Sequence, residues 1–265
     1  MQGSLTGEVL QHNFIKKDSS FYKFLIFFER KIANWFYVIT QSDTMINELE
    51  RLGVPEEKRS NVKDGVDTEV FYPMPFNDRI AKKIHVKKDQ PRVLFMGLLE
   101  KYQGADPMFS AFGQIVKQHP AVQFVIIGYP NIEKYKNYCR KAGFLKNIRF
   151  LGRVPYEDLP NYLSLSNIAV APKIALTEGD GKIYNYMAMG MATIAFDRRV
   201  AREILGNAGI FAKFADVDDL AEKISWVIRY PDQCHLFREK ARERAVKYLS
   251  WDAVGKRIDK VYHNL

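Results

Sequence analysis

Short apolar runs recur from Arg92 onward, each followed by a stretch with helical spacing. The runs are RVLFMG (92–97), QFVIIG (123–128), NIRFLG (147–152), NIAVAP (167–172), ATIAF (192–196) and GIFAK (209–213). Helices are predicted over 106–118, 132–142, 156–165, 182–189, 200–205 and 218–230. The runs are apolar throughout rather than alternating, as strands covered on both faces must be. Six such strands joined by right-handed crossovers predict an α/β fold built on a doubly wound parallel, Rossmann-like sheet. Ligands of such sheets bind outside the carboxyl ends of the strands, which singles out the loops after Met96, Ile127, Leu151, Ala171 and Phe196.

The segment before Arg92 reads differently. Residues 19–36 predict a strongly apolar helix, 35–40 a strand and 43–52 a helix with Ser42 as N-cap and Gly53 as its stop. Residues 60–63 are a weak strand before a DGVD turn (64–67). Two strands and two helices cannot enclose a core of their own, so they read as the last third of a second α/β domain. The expected division is a remnant of an N-terminal domain over 1–72, a ligand-binding domain over 73–250, and a final helix over 251–265. Trp251, Val254, Ile258 and Val261 or Tyr262 recur at helical spacing and need a partner surface, for which the N-terminal segment is the natural candidate.

Charge narrows the partners. The net charge is +9, and it is uneven: residues 1–72 carry 9 Lys+Arg and 11 Asp+Glu, a net of −2, and the rest carry 31 and 20, a net of +11. The basic portion suits phosphorylated ligands or anionic lipid. Nucleic acid is not expected, since no matching motif or aromatic platform accompanies the charge. Lys16, Lys17, Lys23, Arg30 and Lys31 surround the apolar helix, which can lie on an anionic membrane or be buried by more of its own domain. Two cysteines without ligand or redox spacing, and no signal-like start, fit a cytoplasmic protein, with membrane-peripheral placement as the option that the basic apolar helix adds. The histidines are scattered, so no metal site and no cofactor are expected.

Three loops can carry chemistry. In GLLEKYQGAD (97–106), Gly97 and Gly104 allow close backbone approach to a phosphate, and Lys101 adds charge. In TEGDGKIYNYMAMG (177–190), Asp180 and Gly181 lead into a helix opened by Lys182, an arrangement that cradles a diphosphate. Glu178 and Asp180 can hydrogen-bond sugar or ribose hydroxyls; the plainer reading has Asp180 capping the helix. In GRVPYED (152–158), the backbone of Arg153 and Val154 can read a base edge, and Gly128 ends the strand beside it.

The order of these blocks resembles glycosyltransferase family 4, of the GT-B fold. VITQSDTMINELERLGVPEEKRSNVKDGVDTEVFYP is similar to that family's interdomain junction, GLLEKYQGAD to its first glycine loop, FVIIGYP to its next strand end, NIRFLGRVPYEDLPNYLSLSNIAVAP to its following block, and KIYNYMAMGMATIAFD to its donor-binding helix and strand. The chain departs from the pattern at Leu98, where Arg is common, at Gln103, where Lys is common, and at Asn185, where Glu usually holds the ribose. Thr177 stands where a second Glu is frequent, and Glu178 fits only with a slip of one residue. The resemblance implies the C-terminal half of a GT-B enzyme plus a remnant of the other half, transferring a sugar with retention and without metal from a UDP- or GDP-sugar. Its donor would touch Gly97, Leu98, Lys101, Gln103, Gly104, Gly128, Arg153, Val154, Asp180, Gly181, Ile183, Tyr184 and Asn185, with Glu178 and Lys182 catalytic. A partner chain would supply the N-terminal half. A non-catalytic nucleotide-sugar-binding subunit and a sugar-nucleotide epimerase are the alternative readings.

Overall fold

The computed structural model describes residues 5–11, 14–176 and 179–264. Among the described residues there are eight strands: β1 (Val38–Thr40), β2 (Arg59–Asn61), β3 (Arg92–Met96), β4 (Gln123–Ile127), β5 (Ile148–Gly152), β6 (Ile168–Ala171), β7 (Ala192–Phe196) and β8 (Gly209–Ala212). The helices are α1 (Leu5–Gln11), α2 (Ser20–Trp35), α3 (Asp43–Arg51), α4 (Asp78–Lys83), α5 (Ala105–Gln118), α6 (Ile132–Lys141), α7 (Leu159–Leu163), α8 (Gly181–Ala188), α9 (Arg199–Leu205), α10 (Val217–Arg229), α11 (His235–Arg244) and α12 (Trp251–His263).

Six strands form one parallel sheet in the order β5-β4-β3-β6-β7-β8. The chain works outward from β3 in one direction, then returns to β6 and works outward in the other. The sheet is therefore doubly wound, with its switch point between β3 and β6. Every residue of β4 and β7 is buried, as expected for strands covered on both sides. Alternation along β3 divides the core: Leu94 packs with α8, α9 and α11 on one face, and Val93 and Phe95 pack with α5, α6 and α10 on the other. Helix α10 begins where the Asp216 carboxylate accepts from the amides of Asp218 and Asp219, and it buries Leu220, Ile224 and Val227.

Strands β1 and β2 make a separate two-stranded parallel sheet. Its private core is small: Ala33, Leu49, Leu52 and Val54. The predicted strand over 35–40 is shorter at its start because α2 continues to Trp35. Helix α4 was not foreseen; it is short and held at its start by the Asn77 side chain, which accepts from the Ile80 amide. The small sheet is anchored to α9 through Glu203, whose carboxylate accepts from the Asp43 amide at 2.9 Å and whose carbonyl accepts from Lys63. Ser250 breaks the last helical stretch and caps α12. There the chain meets the DGVD turn (64–67) of the N-terminal segment. Val66 pairs with Ser250, and the Trp251 ring lies so close to Gly65 that a Cβ there would sit 2.7 Å from it.

Helix α2 is the exception to tidy burial. Phe21, Phe24, Phe27, Phe28 and Trp35 are all exposed, and only Glu29 and Ala33 are buried on it. Among the described residues, no helix is long and apolar enough to cross a membrane.

Candidate functional site

The topology brings the carboxyl ends of β3 and β6 side by side at the switch point, so the loops leaving them face each other. Gly97 begins one loop with φ +147°, a conformation that L side chains rarely adopt. The other loop leads into α8, whose second residue is Lys182. A Cβ on Gly97 would lie 2.8 Å from Lys182 Cε. The glycine therefore provides the space that the lysine stem occupies.

Lys182 is enclosed, with its side chain 7% exposed. Its Nζ donates to Asp180 Oδ1 at 2.6 Å and to Gln103 Oε1 at 2.8 Å. The other Asp180 oxygen accepts from Arg198 Nη2 at 3.2 Å. Arg198 Nη1 donates to the Ala175 carbonyl, and Lys173 Nζ donates to the Gly179 carbonyl at 2.7 Å. These two buried cations hold the ends of the loop that enters α8. Burial pushes the Lys182 ammonium below the ordinary lysine range; Asp180 opposes that shift, and Lys173 and Arg198 add to it. Helix α8 is fixed from beneath by Tyr186, whose hydroxyl accepts from the Met96 amide at 2.7 Å.

Two cavities flank the lysine. One, of about 340 Å³, lies outside β3, β4 and β5 and is lined by Gly97, Leu98, Gly128, Arg153 and Val154. The Arg153 guanidinium stacks on the Tyr129 ring at 3.7 Å there. The other, of about 470 Å³, opens between α8 and the small sheet unit and is lined by Asp180, Gly181 and Tyr184 opposite Gln41, Ser42 and Asp64. Gly97 belongs to the first cavity and Asp180 to the second, and Lys182 touches both residues.

The structure thus gathers most of the residues singled out in the sequence, but changes several roles. Asp180 stands at the N-cap position of α8 without capping it; its carboxylate is taken by Lys182 and Arg198 and is not open to sugar hydroxyls. Gly104 makes room for the protein's own backbone: with φ +77°, a Cβ there would sit 1.7 Å from the Pro172 carbonyl oxygen. Gly128 lines the first cavity, and its missing side chain also leaves room for Gly97, whose carbonyl oxygen would be 2.2 Å from a Cβ. Lys101 is exposed and lines neither cavity; its charge acts on Asp106. Ile183 is a core residue, and its amide is already bonded to the Asp180 carbonyl. Asn185 is buried, with its side chain near Tyr156. Glu178 and Thr177 lie outside the described residues.

Lys173, Arg198 and Tyr186 were missed. Lys173 and Arg198 each stand two residues beyond a strand end, β6 and β7, on the ligand edge of the sheet, and that position was the available signal. Tyr186 gave none, because a tyrosine in an apolar helix reads as packing. Among the described residues, no group of three or more metal-ligating side chains comes together.

The sequence profile of the family "Glycosyl transferases group 1" matches residues 76–244. The chain belongs to that family. Among relatives of this group 1 chain is the GDP-mannose-dependent monoacylated alpha-(1-6)-phosphatidylinositol monomannoside mannosyltransferase of Corynebacterium glutamicum, 26% identical over 212 residues, covering 76% of this chain and 55% of the relative. The phosphatidyl-myo-inositol mannosyltransferase of Mycolicibacterium smegmatis is 24% identical over 77% of this chain and 51% of its own. The chain spans about half the length of the curated relatives it matches. The fold agrees with that of Anabaena HepE in complex with UDP, at TM-score 0.84 and 16% identity, over 100% of this chain and 71% of that one. The C-terminal domain of the group 1 glycosyl transferase LpcC from Francisella tularensis matches in full, at TM-score 0.61 and 22% identity, over 71% of this chain. The architecture is thus α/β with a parallel six-stranded sheet of the GT-B type.

Proposed function

We propose that this chain binds a nucleoside-diphosphate sugar at the switch point and, completed by the rest of a GT-B first domain, transfers the sugar with retention to an acceptor. The observation that carries the reading is the apposition of Gly97 and Lys182 between two cavities. The nucleoside fits the cavity beside Leu98 and Val154, where the Arg153–Tyr129 stack offers a planar rim to a base. The diphosphate then crosses Gly97 and meets Lys182 and the first-turn amides of α8. The sugar projects into the second cavity, towards Ser42 and Asp64.

In the transfer, the bond between the anomeric carbon and the diphosphate oxygen breaks, and its electron pair stays on the diphosphate. The acceptor oxygen forms the new bond on the same face, and its proton passes to the leaving diphosphate. Lys182 stabilises the growing negative charge from a site largely closed to water, where a fixed cation acts most strongly. No metal is assigned to this step. The departures at Leu98 and Gln103 leave the cation beside Gly97 to Lys182 on the α8 side of the cleft, and Gln103 becomes an acceptor for Lys182. Glu178, next to Gly179 in the sequence, is proposed as the second catalytic group, hydrogen-bonding the sugar hydroxyls.

The exposed aromatic face of α2 is the surface on which the remainder of the first domain would close, from this chain's own gene product or a partner; an anionic membrane is the competing surface. The donor test is titration calorimetry with UDP, GDP, UDP-glucose and GDP-mannose. One of these should bind, and Lys182→Ala should weaken it at least tenfold. Absence of binding for all four, or an unaltered affinity in the variant, rejects the assignment.

A further inference from the structure

A third cavity, of about 280 Å³, lies at the opposite edge of the sheet, under the amino ends of β3, β6 and β7. Apolar wall is supplied by Ile168, Ile228 and Pro231. The charge around it is lopsided: Lys88, Arg92 and Arg238 line it, against one carboxylate, Asp89.

The two guanidinium groups are held in place by neutral partners. Arg92 donates through Nε to the Leu165 carbonyl at 2.6 Å and through Nη1 to the carbonyls of Lys87, Lys88 and Gln90. Arg238 donates through Nε to the Gly190 carbonyl at 3.0 Å and through Nη2 to Asn167 Oδ1 at 3.1 Å. Neither forms an ion pair among the described residues, and each keeps one terminal nitrogen, Nη2 of Arg92 and Nη1 of Arg238, outside these bonds. Burial depresses the pKa of both, and for Arg238 no carboxylate offsets the loss of hydration. Arg92 has Asp89 as its one acidic neighbour and lies over the Phe76 ring at 4.9 Å, while Arg238 has no carboxylate; a half-buried excess of positive charge is costly, and an anion in the cavity relieves that cost. Rigid forks with free N–H groups match the oxygens of a phosphate or carboxylate.

We infer that this cavity is a second ligand site, separate from the donor cleft, for a compact anion carried on a short apolar body. Arg92 and Arg238 take the anionic group, and the Ile168–Ile228–Pro231 wall takes the hydrocarbon.

The test is methyl NMR of the whole chain titrated with n-butyl phosphate, butyrate, inorganic phosphate and n-butanol. The methyls of Ile168 and Ile228 should shift with butyl phosphate or butyrate, while those of Ile183 and Ile204 beside the donor cleft stay still. Inorganic phosphate and butanol should each bind about tenfold more weakly or worse, since each lacks one half of the recognition. Asn167→Asp gives Arg238 an isosteric counter-charge at an exposed position, so the fold should survive it, and it should weaken butyl phosphate about tenfold. Arg238→Lys keeps the charge, loses the fork and should weaken binding as well. Absence of shifts at Ile168 and Ile228, shifts confined to the donor cleft, or an Asn167→Asp variant that binds as tightly as the parent would each overturn the inference.

Discussion

The enclosed Lys182–Asp180 pair permits a quantitative prediction. Lys182→Met removes the ammonium and keeps the stem that Gly97 accommodates. Taking one partner from a buried ion pair typically costs about 3–5 kcal/mol. Here Arg198 still holds the other oxygen of Asp180, so the low end, about 3 kcal/mol, is expected. Asp180→Asn should cost at least as much, because it leaves Lys182 and Arg198 facing each other across an amide. The double variant should cost less than the sum by about 1–3 kcal/mol, the coupling expected of residues in direct contact. Urea unfolding of the four proteins measures this cycle. Nucleoside diphosphate affinity should fall in Lys182→Met by roughly ten- to a hundredfold, the loss of one charge-assisted hydrogen bond of about 1.5–3 kcal/mol. The pH dependence adds a sign. Lys182 holds its proton less tightly folded than unfolded. Relative to Lys182→Met, the parent should therefore gain stability as pH rises through the window between its depressed folded value and the ordinary 10.5. Additive stabilities, or nucleotide affinity unchanged in Lys182→Met, would show that the lysine neither couples to Asp180 nor serves the ligand.

Two further perturbations separate backbone from ligand effects. Gly104→Ala and Gly143→Ala both place alanine at positive φ, +77° and +80°, but only the first meets the Pro172 carbonyl, and nothing lies within 4 Å of the second. Gly143→Ala should cost about 1 kcal/mol and Gly104→Ala more than about 4 kcal/mol, read as thermal unfolding temperatures; similar losses would refute the packing role of Gly104. Tyr186→Phe strands the Met96 amide and should cost about 1–3 kcal/mol with an unchanged far-ultraviolet spectrum; a cost below about 0.3 kcal/mol would show that the hydroxyl does not fix α8.

The sheet was legible because its signal is redundant. Six buried runs, each the length of a strand, leave little choice of topology, and the strand ends then indicate where a ligand lies. Lys182 and Gly97 were legible for the same reason, as residues at strand-to-helix turns. The partners of Lys182 were not. Asp180 at the head of a helix reads as a cap, and only three-dimensional proximity to Lys182 and Arg198, the latter 18 positions away, gives it a different task. Gly104 reads as an opening for a ligand because sequence shows a missing side chain without showing what fills the space, and Gly128 enters the site only through the family resemblance. In both cases the space is filled by the protein's own backbone, from Pro172 and Gly97.

Gln103 shows how such a hidden partner alters the meaning of a departure from a family pattern. Taken alone, Gln where lysine is common is the loss of a cation. In the fold its amide oxygen accepts from Lys182 at 2.8 Å, and a lysine in its place would bring two ammonium groups together beside a buried carboxylate. At an effective dielectric near 20, two like charges about 4 Å apart repel by about 4 kcal/mol. The half-buried side chain at 103 can relieve most of this by swinging towards solvent, so about 1 kcal/mol is expected to remain. A bound diphosphate would reverse the balance by drawing both ammoniums to itself. Gln103→Lys should therefore lower the unfolding temperature of the ligand-free protein and raise its affinity for UDP or GDP, with a larger thermal upshift on saturation than the parent shows. If stability and affinity both fall, the Gln103 side of the cleft does not face the diphosphate. If neither changes, the hydrogen bond to Lys182 has no role in positioning it.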